Sequence, residues 1–485
     1  MEYQTATRLV ADLRSRRVSA TELLDHAVGR IEALDGAINA VVVRDFDRAR
    51  SEARKADMAL AAGDTRPLLG LPMTVKEAFN VAGLPTTWGL PGARDIPVLE
   101  DAVVVARLKA AGAIVIGKTN VPTMLADWQS ANPVHGVTRN PWDLSRTPGG
   151  SSGGGAAALA AGFVSLEFGS DLASSLRAPA HFCGVYAHKP SHGLIPSRGF
   201  VPPGVPATCP APAIDLAVVG PMARCADDLA LALEVTAGPD AHEAVGYRLQ
   251  LPPPRHDALK DHRVLVLDQH PLLPNADSIR AALAERAARL EALGCRVGRE
   301  SPHLPDLAQA AATFIELLMA QMSADSPDSA FAQARMAAEG LPVGVDPMTS
   351  AAVRGGALSH RDWIIADRLR MAFAHQWREL FRDWDVVLCP AMPTAALPLN
   401  GSGGPAMIQI DGAAVQYEAQ PLWGTLATLT GNPATAFPIG LDGQGLPIGA
   451  QAVGSFLEDR TTIAFAGLMA REFGGFTPPP TPWRG

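Results

Sequence analysis

Two rhythms of apolar and polar positions follow one another along this chain. Up to about residue 65 the apolar positions recur at helical spacing. Ser19-Ala20-Thr21-Glu22 has the spacing of a capping box and opens an amphipathic run to about Leu34. A second such run covers about Asp45 to Ala62. Short apolar runs then alternate with helical stretches. LPMTV (71–75), AIVIGK (113–118), Phe163–Phe168, Val185–His188, Val264–Leu267 and Val386–Leu388 read as strands. Asp101–Ala111, Asp227–Ala237 and Ala276–Leu293 read as helices, the last stopped by Gly294. Strand-helix alternation of this kind implies an α/β sheet covered on both faces.

Proline-rich connectors at 201–214 and 249–257 break the pattern, which then stays weak until about 380. The expected organisation is a helical segment at 1–65, a core at 66–240, a partly helical cap over the active site at about 241–380, and C-terminal core strands and helices at 381–475. Three long uncharged stretches, 147–166, 388–410 and 419–441, are broken by Gly, Ser and Pro, so they read as buried core and not as membrane spans. The start of the chain mixes charges into what a secretory signal would keep apolar.

Composition narrows the function classes. Hydrophobic residues make up 47% and charged residues 19%, which is globular composition. A net charge of −8 with both signs interspersed, and no basic stripe, argues against nucleic acid as a partner. Five scattered cysteines with no Cys-x-x-Cys pair fit neither a disulfide framework nor a zinc site, and fit the cytoplasm.

The densest chemical signal is PGGSSGGGAAALAAG (148–162). A flexible linker would not lead straight into an alanine-rich core helix, and a phosphate-binding P-loop needs Lys and Ser or Thr after its second Gly, where this chain has Ala. The remaining reading is a tight loop whose small residues let backbone and hydroxyls approach a substrate. A second serine-rich turn, GSDLASSLRAPA (169–180), follows it, and LPMTVKEAFN (71–80) precedes both.

These segments together resemble the amidase signature family, whose pattern runs from a strand ending in Val-Lys-Asp through Gly-Gly-Ser-Ser-Gly-Gly to Asp-x-Gly-Gly-Ser-x-Arg-x-Pro-Ala. GKTN (117–120), GVTRNPWD (136–143) and GNPATAFPIG…GLPIGAQAVG (431–454) extend the resemblance over roughly 5–240 and 380–475. It implies one large α/β domain with a mixed, twisted β-sheet sandwiched between α-helices. It also implies a serine hydrolase that cuts amides, and in some members carbamates (urethanes) and esters, with no metal or organic cofactor. By the same resemblance Ser175 is the nucleophile, Ser151 the bridging serine (on a cis peptide in relatives) and Lys76 the base. Backbone amides of Leu172, Ala173, Ser174 and Ser175 would form the oxyanion hole, supported by Ser152, Asp171 and Arg177. Met124, Trp128, Gln129 and Trp423 are the residues expected to touch substrate, suggesting an apolar or aromatic portion. The expected partner is a small-molecule substrate, the chain acting as a monomer or homodimer. The alternative is an ammonia-releasing component of a transamidation complex.

The departures from the pattern are Ala173 and Ser174 where relatives have Gly-Gly, Glu77 for Asp, and Thr123 for Glu. The chemistry stands apart from the resemblance. A serine hydroxyl needs a neighbouring base, and lysine serves only when its pKa falls by about 3 units, as desolvation can achieve. A Ser-His-Asp triad drawn from His181, His188 or His192 with Asp171 or Asp215 is the rival, although no Gly-x-Ser-x-Gly elbow accompanies it. Metal catalysis has no ligand spacing to support it.

Overall fold

The computed structural model describes residues 1–208, 214–401 and 403–480. Cys209 and part of the 201–214 connector lie outside them. Eleven strands form one sheet: β1 (Val41–Arg44), β2 (Pro72–Lys76), β3 (Ile114–Thr119), β4 (Leu166–Asp171), β5 (Tyr186–Lys189), β6 (Val218–Ala223), β7 (Arg263–Val266), β8 (Arg296–Gly298), β9 (Val386–Pro390), β10 (Ala434–Leu441) and β11 (Pro447–Val453). Their order across the sheet is β1-β3-β2-β4-β6-β5-β10-β11-β9-β7-β8. The sheet is mixed: β2 runs parallel to β3 and β4, and β7 parallel to β8 and β9, while the other neighbours are antiparallel. The central strands β2, β3, β4 and β6 are buried at every position, as strands covered on both faces must be.

Helices flank the sheet. The first seven are α1 (Ala6–Arg14), α2 (Ala20–Ile38), α3 (Phe46–Ala61), α4 (Val103–Ala110), α5 (Gly153–Ala160), α6 (Arg177–Cys183) and α7 (Ala226–Thr236). The other seven are α8 (Asp277–Ala292), α9 (Leu307–Met322), α10 (Asp328–Glu339), α11 (Pro347–Gly355), α12 (His360–Asp383), α13 (Leu422–Thr428) and α14 (Asp459–Phe473). The capping box at Ser19 and Glu22 is formed. All eight residues of α5 are buried, and their composition shows why: with only Gly, Ala and one Leu, this helix can lie directly against the strands.

The stretch 241–380 divides in two. Its first part supplies β7, α8 and β8 to the sheet edge, because Val264, Leu265 and Val266 are apolar enough to be buried there. The helical layer is α9–α12. Phe314 and Leu317 of α9 and Phe373 of α12 share a cluster with Leu216 and Leu429, and the half-buried Leu172 and Ala173 pack against it. This layer therefore backs the loop that follows β4.

Candidate active site

Strand ends and glycine-rich loops build the site. Thr74 and Lys76 alternate onto one face of β2, and Lys76 is fully buried at the strand's end. Its Nζ stands 2.7 Å from Ser151 Oγ and donates to Ser170 Oγ at 2.9 Å. Burial draws the Lys76 amine down to about 7, against the opposing pull of the Asp171 and Glu167 carboxyls. At neutral pH the amine is thus poised between charged and uncharged forms.

Ser151 lies in the loop leading into α5, and the Gly150–Ser151 peptide is cis. Gly150 has to be glycine, because a Cβ there would stand 2.3 Å from the Asp127 carbonyl and 2.9 Å from Trp128 Cα. Ser152 ties the loop in place. Its N–H donates to the Ser175 carbonyl at 3.1 Å, and its hydroxyl donates to the Ser170 carbonyl at 3.3 Å.

Ser175 sits between β4 and α6 at 7% exposure. Its hydroxyl has no hydrogen-bond partner among the described residues, and it is joined to the Ser151 loop through the backbone. The turn is held by Asp171, whose Oδ1 accepts from Ser174 N at 3.0 Å and whose Oδ2 accepts from Leu176 N at 3.1 Å. Arg177 clamps both Asp171 oxygens at 2.9 and 3.0 Å and donates onward to Gly424, Gln451 and Thr428. Burial would raise the Asp171 carboxyl, but the Arg177 guanidinium, with Lys189 and the Leu176 N–H, holds the group below the usual carboxylate range.

The oxyanion set differs from expectation at one residue. The Ser174 N–H is spent on Asp171, so it is not a free donor. The amides of Leu172, Ala173 and Ser175 have no partner among the described residues and remain available. The Ser174 side chain is buried and turned toward Gly424, away from the loop's open side.

The expected substrate residues separate. Trp128 is half-buried, donates its indole N–H to the Ala173 carbonyl at 2.9 Å, and meets the Tyr417 ring edge-on at 5.6 Å. Met124 is half-buried with φ 54° and donates its N–H to Trp88 O at 2.8 Å. Trp423, by contrast, is a core residue. It is fully buried, donates to Asn275 Oδ1 at 2.7 Å and packs on His270, so it offers a substrate no surface. Gln129 is also fully buried and holds Asn400 N at 2.8 Å.

Two histidines of the rival triad, His181 and His188, are held in the core away from the Ser175 hydroxyl by other partners. His181 accepts from Gly449 N and donates to the Thr394 carbonyl, and burial pulls it down to about 4. His188 is held by Thr435 and Asp459, while Asp215 pairs with Arg370. Glu77, next to Lys76, is likewise structural: it accepts from Thr87 N and Trp88 N and faces the buried Lys118. Sequence reasoning missed Ser170, Glu167, Thr74 and Thr119, which surround Lys76. Only the polar letters inside otherwise apolar strands signalled them.

The family model described as Amidase matches residues 22–463. The chain belongs to the amidase signature family. A glutamyl-tRNA(Gln) amidotransferase component from Psychrobacter sp. (strain PRwf-1) is 30% identical over 97% of this chain and 96% of its own length. A Mycobacterium tuberculosis (strain ATCC 25618 / H37Rv) protein named as an amidase, AmiB2, is 34% identical over 95% of this chain and 93% of its own. Among solved structures, one from a vestigial complex bearing on the origins of an s-triazine catabolic enzyme is 30% identical, with a TM-score of 0.81 over 98% of this chain and all of that one. A bacterial aryl acylamidase shares the fold at a TM-score of 0.81 and 23% identity, covering 97% of this chain and 96% of its own. As an amidase signature enzyme the chain hydrolyses amides. Among the described residues no helix is long and apolar enough to cross a membrane.

Proposed function

We propose that this amidase cleaves the C–N bond of neutral aryl or other apolar amides through a covalent Ser175 acyl-enzyme, with Ser151 and Lys76 as its proton relay. The observation that carries the reading is the fully buried Lys76 amine, poised near neutrality 2.7 Å from Ser151 Oγ. Ser175 Oγ attacks the carbonyl carbon as its proton passes to Ser151, whose own proton moves to Lys76. The oxyanion meets the amides of Leu172, Ala173 and Ser175, each typically worth about 2.7–4 kcal/mol. The proton returns through Ser151 to the leaving nitrogen as the C–N bond breaks. Water then attacks the ester by the same relay, regenerating Ser175 and releasing the acid. The Ser151–Ser175 hydrogen bond closes when substrate fills the site, as catalytic hydrogen bonds often do.

The substrate class rests on the wall beside the oxyanion loop. Half-buried Trp128 supplies an aromatic face, backed by the buried Tyr417, and the acids Asp127 and Glu418 lie near it. An aromatic or apolar group fits that wall, whereas a carboxylate would meet like charge. Carbamates and esters present the same planar carbonyl and are expected to react as well.

The likeness to a glutamyl-tRNA(Gln) amidotransferase component favours a second reading, an ammonia-releasing chain that works with partner proteins. Rates on a nitroanilide, an aryl carbamate, an ester and glutamine, with Lys76→Ala and Ser175→Ala controls, separate the two. Unaided anilide or carbamate turnover lost in both variants supports the first. Glutamine turnover only in the presence of partner proteins supports the second.

A further inference from the structure

Beneath the relay lies an acid that the mechanism does not use. Glu167 on β4 is fully buried and shares the sheet face of Thr74 and Lys76, where β2 and β4 pair Thr74 with Glu167. Its carboxyl is held by the Thr74 hydroxyl and, at 2.7 Å, by the Thr119 hydroxyl. The space is built for it. A Cβ on Gly155 of α5 would stand 2.6 Å from Glu167 Cγ and 2.8 Å from Oε1.

Lys76 is the cation near enough to act on this acid, yet no hydrogen bond joins them. Both contacts of the Lys76 nitrogen go to serines. The other packed elements bring no compensating charge. α5 holds only Gly, Ala and Leu, and β6 carries no ionisable residue. Lys118 of β3 turns to Glu77, and Asp171 further along β4 is neutralised by Arg177. An ionised Glu167 would therefore be a buried carboxylate with hydroxyl partners alone, which is costly. It would also draw a proton onto Lys76 and remove the base.

We infer that Glu167 stays a protonated carboxylic acid in the working enzyme and acts as a positioning residue, the uncharged neighbour that lets the Lys76 amine remain neutral. This rests on the reading of Lys76 as the base. Burial raises the Glu167 carboxyl to about 8, so most of the acid keeps its proton at pH 7, where Lys76 titrates.

Glu167→Gln keeps the shape and fixes the neutral state. The pH dependence of kcat/KM, whatever the absolute rate, is expected to keep its acid midpoint within about a third of a pH unit of the native enzyme's. Removing a true carboxylate would instead lower the amine's pKa, and a midpoint moved down by about one unit or more overturns the inference. Infrared titration of the native enzyme reads the acid without turnover, should the variant fail to fold. A protonated-carboxyl band present at pH 7 is expected, and its absence at pH 7 overturns the proposal. Activity surviving Lys76→Ala would sink the functional reading and leave the infrared result standing.

Discussion

The Ser174 hydroxyl points at the α-carbon of Gly424, and a Cβ built at 424 would lie 1.8 Å from it. Ser174 has φ 68° and a buried hydroxyl without a partner, two costs that a glycine in the same turn avoids. Ser174→Gly is therefore expected to raise stability by about 1–2 kcal/mol, measured by denaturant unfolding. Gly424→Ala is expected to cost about 1–3 kcal/mol alone and much less in the Ser174→Gly background. Equal costs in both backgrounds would show that the two groups do not meet.

Arg177 links the nucleophile's turn to α13 and β11. Arg177→Lys keeps the charge but loses the two-pronged grip on Asp171. Losing one hydrogen bond to the charged Asp171 costs about 1.5–3 kcal/mol, and loosening the oxyanion loop is expected to lower kcat by about a hundredfold. Unfolding curves and steady-state rates check both. Native activity in the variant would mean that the loop holds its shape without the clamp.

Lys76 should make the protein less stable, and the sign follows from its pKa. The folded amine titrates near 7 while an unfolded lysine holds its proton to about 10.4, so at pH 7 folding must expel or bury a charge. That cost is fully present below about 7 and fades as pH rises toward the unfolded value. Lys76→Met is expected to be inactive yet roughly 2–4 kcal/mol more stable at pH 7, after allowing for its two lost hydrogen bonds. The advantage should shrink toward pH 10. A variant less stable than the native protein at pH 7 would contradict the depressed amine.

Trp128 joins the substrate wall to the oxyanion loop through the Ala173 carbonyl. Trp128→Phe keeps an aromatic face and loses the hydrogen bond. It is expected to lower kcat more than it raises KM for aryl amides, whereas Trp128→Ala should raise KM as well. Unchanged KM for an aryl anilide in Trp128→Ala would place the aromatic group elsewhere.

Much of this was legible in the chain because function here is written in local patterns. The strand ending at Lys76 and the glycine-serine run ending in a helix both formed near their expected limits. β4 begins at Leu166 and not at Phe163, because Gly162 at φ 70° first closes the helix before it. The strands β1, β6 and β8 were not foreseen, being short or lacking a distinct flanking turn. Trp423 was misplaced because an indole beside a predicted site looks the same in sequence whether it faces substrate or Asn275. The Ser174 amide was miscounted for a related reason: only geometry shows that Asp171 folds back to take it. Glu167 escaped notice because a lone acid in a strand carries no local signature of its partners.

Reaction of Ser175 with a fluorophosphonate, followed by intact mass and peptide mapping across pH 5–9, tests the relay most directly. The relay predicts a single adduct, located on Ser175, forming at a rate that rises through about pH 7 as Lys76 loses its proton. In Lys76→Ala that rate should fall about a thousandfold or more. An adduct on another residue, or native-rate labelling of Ser175 in Lys76→Ala, would contradict it.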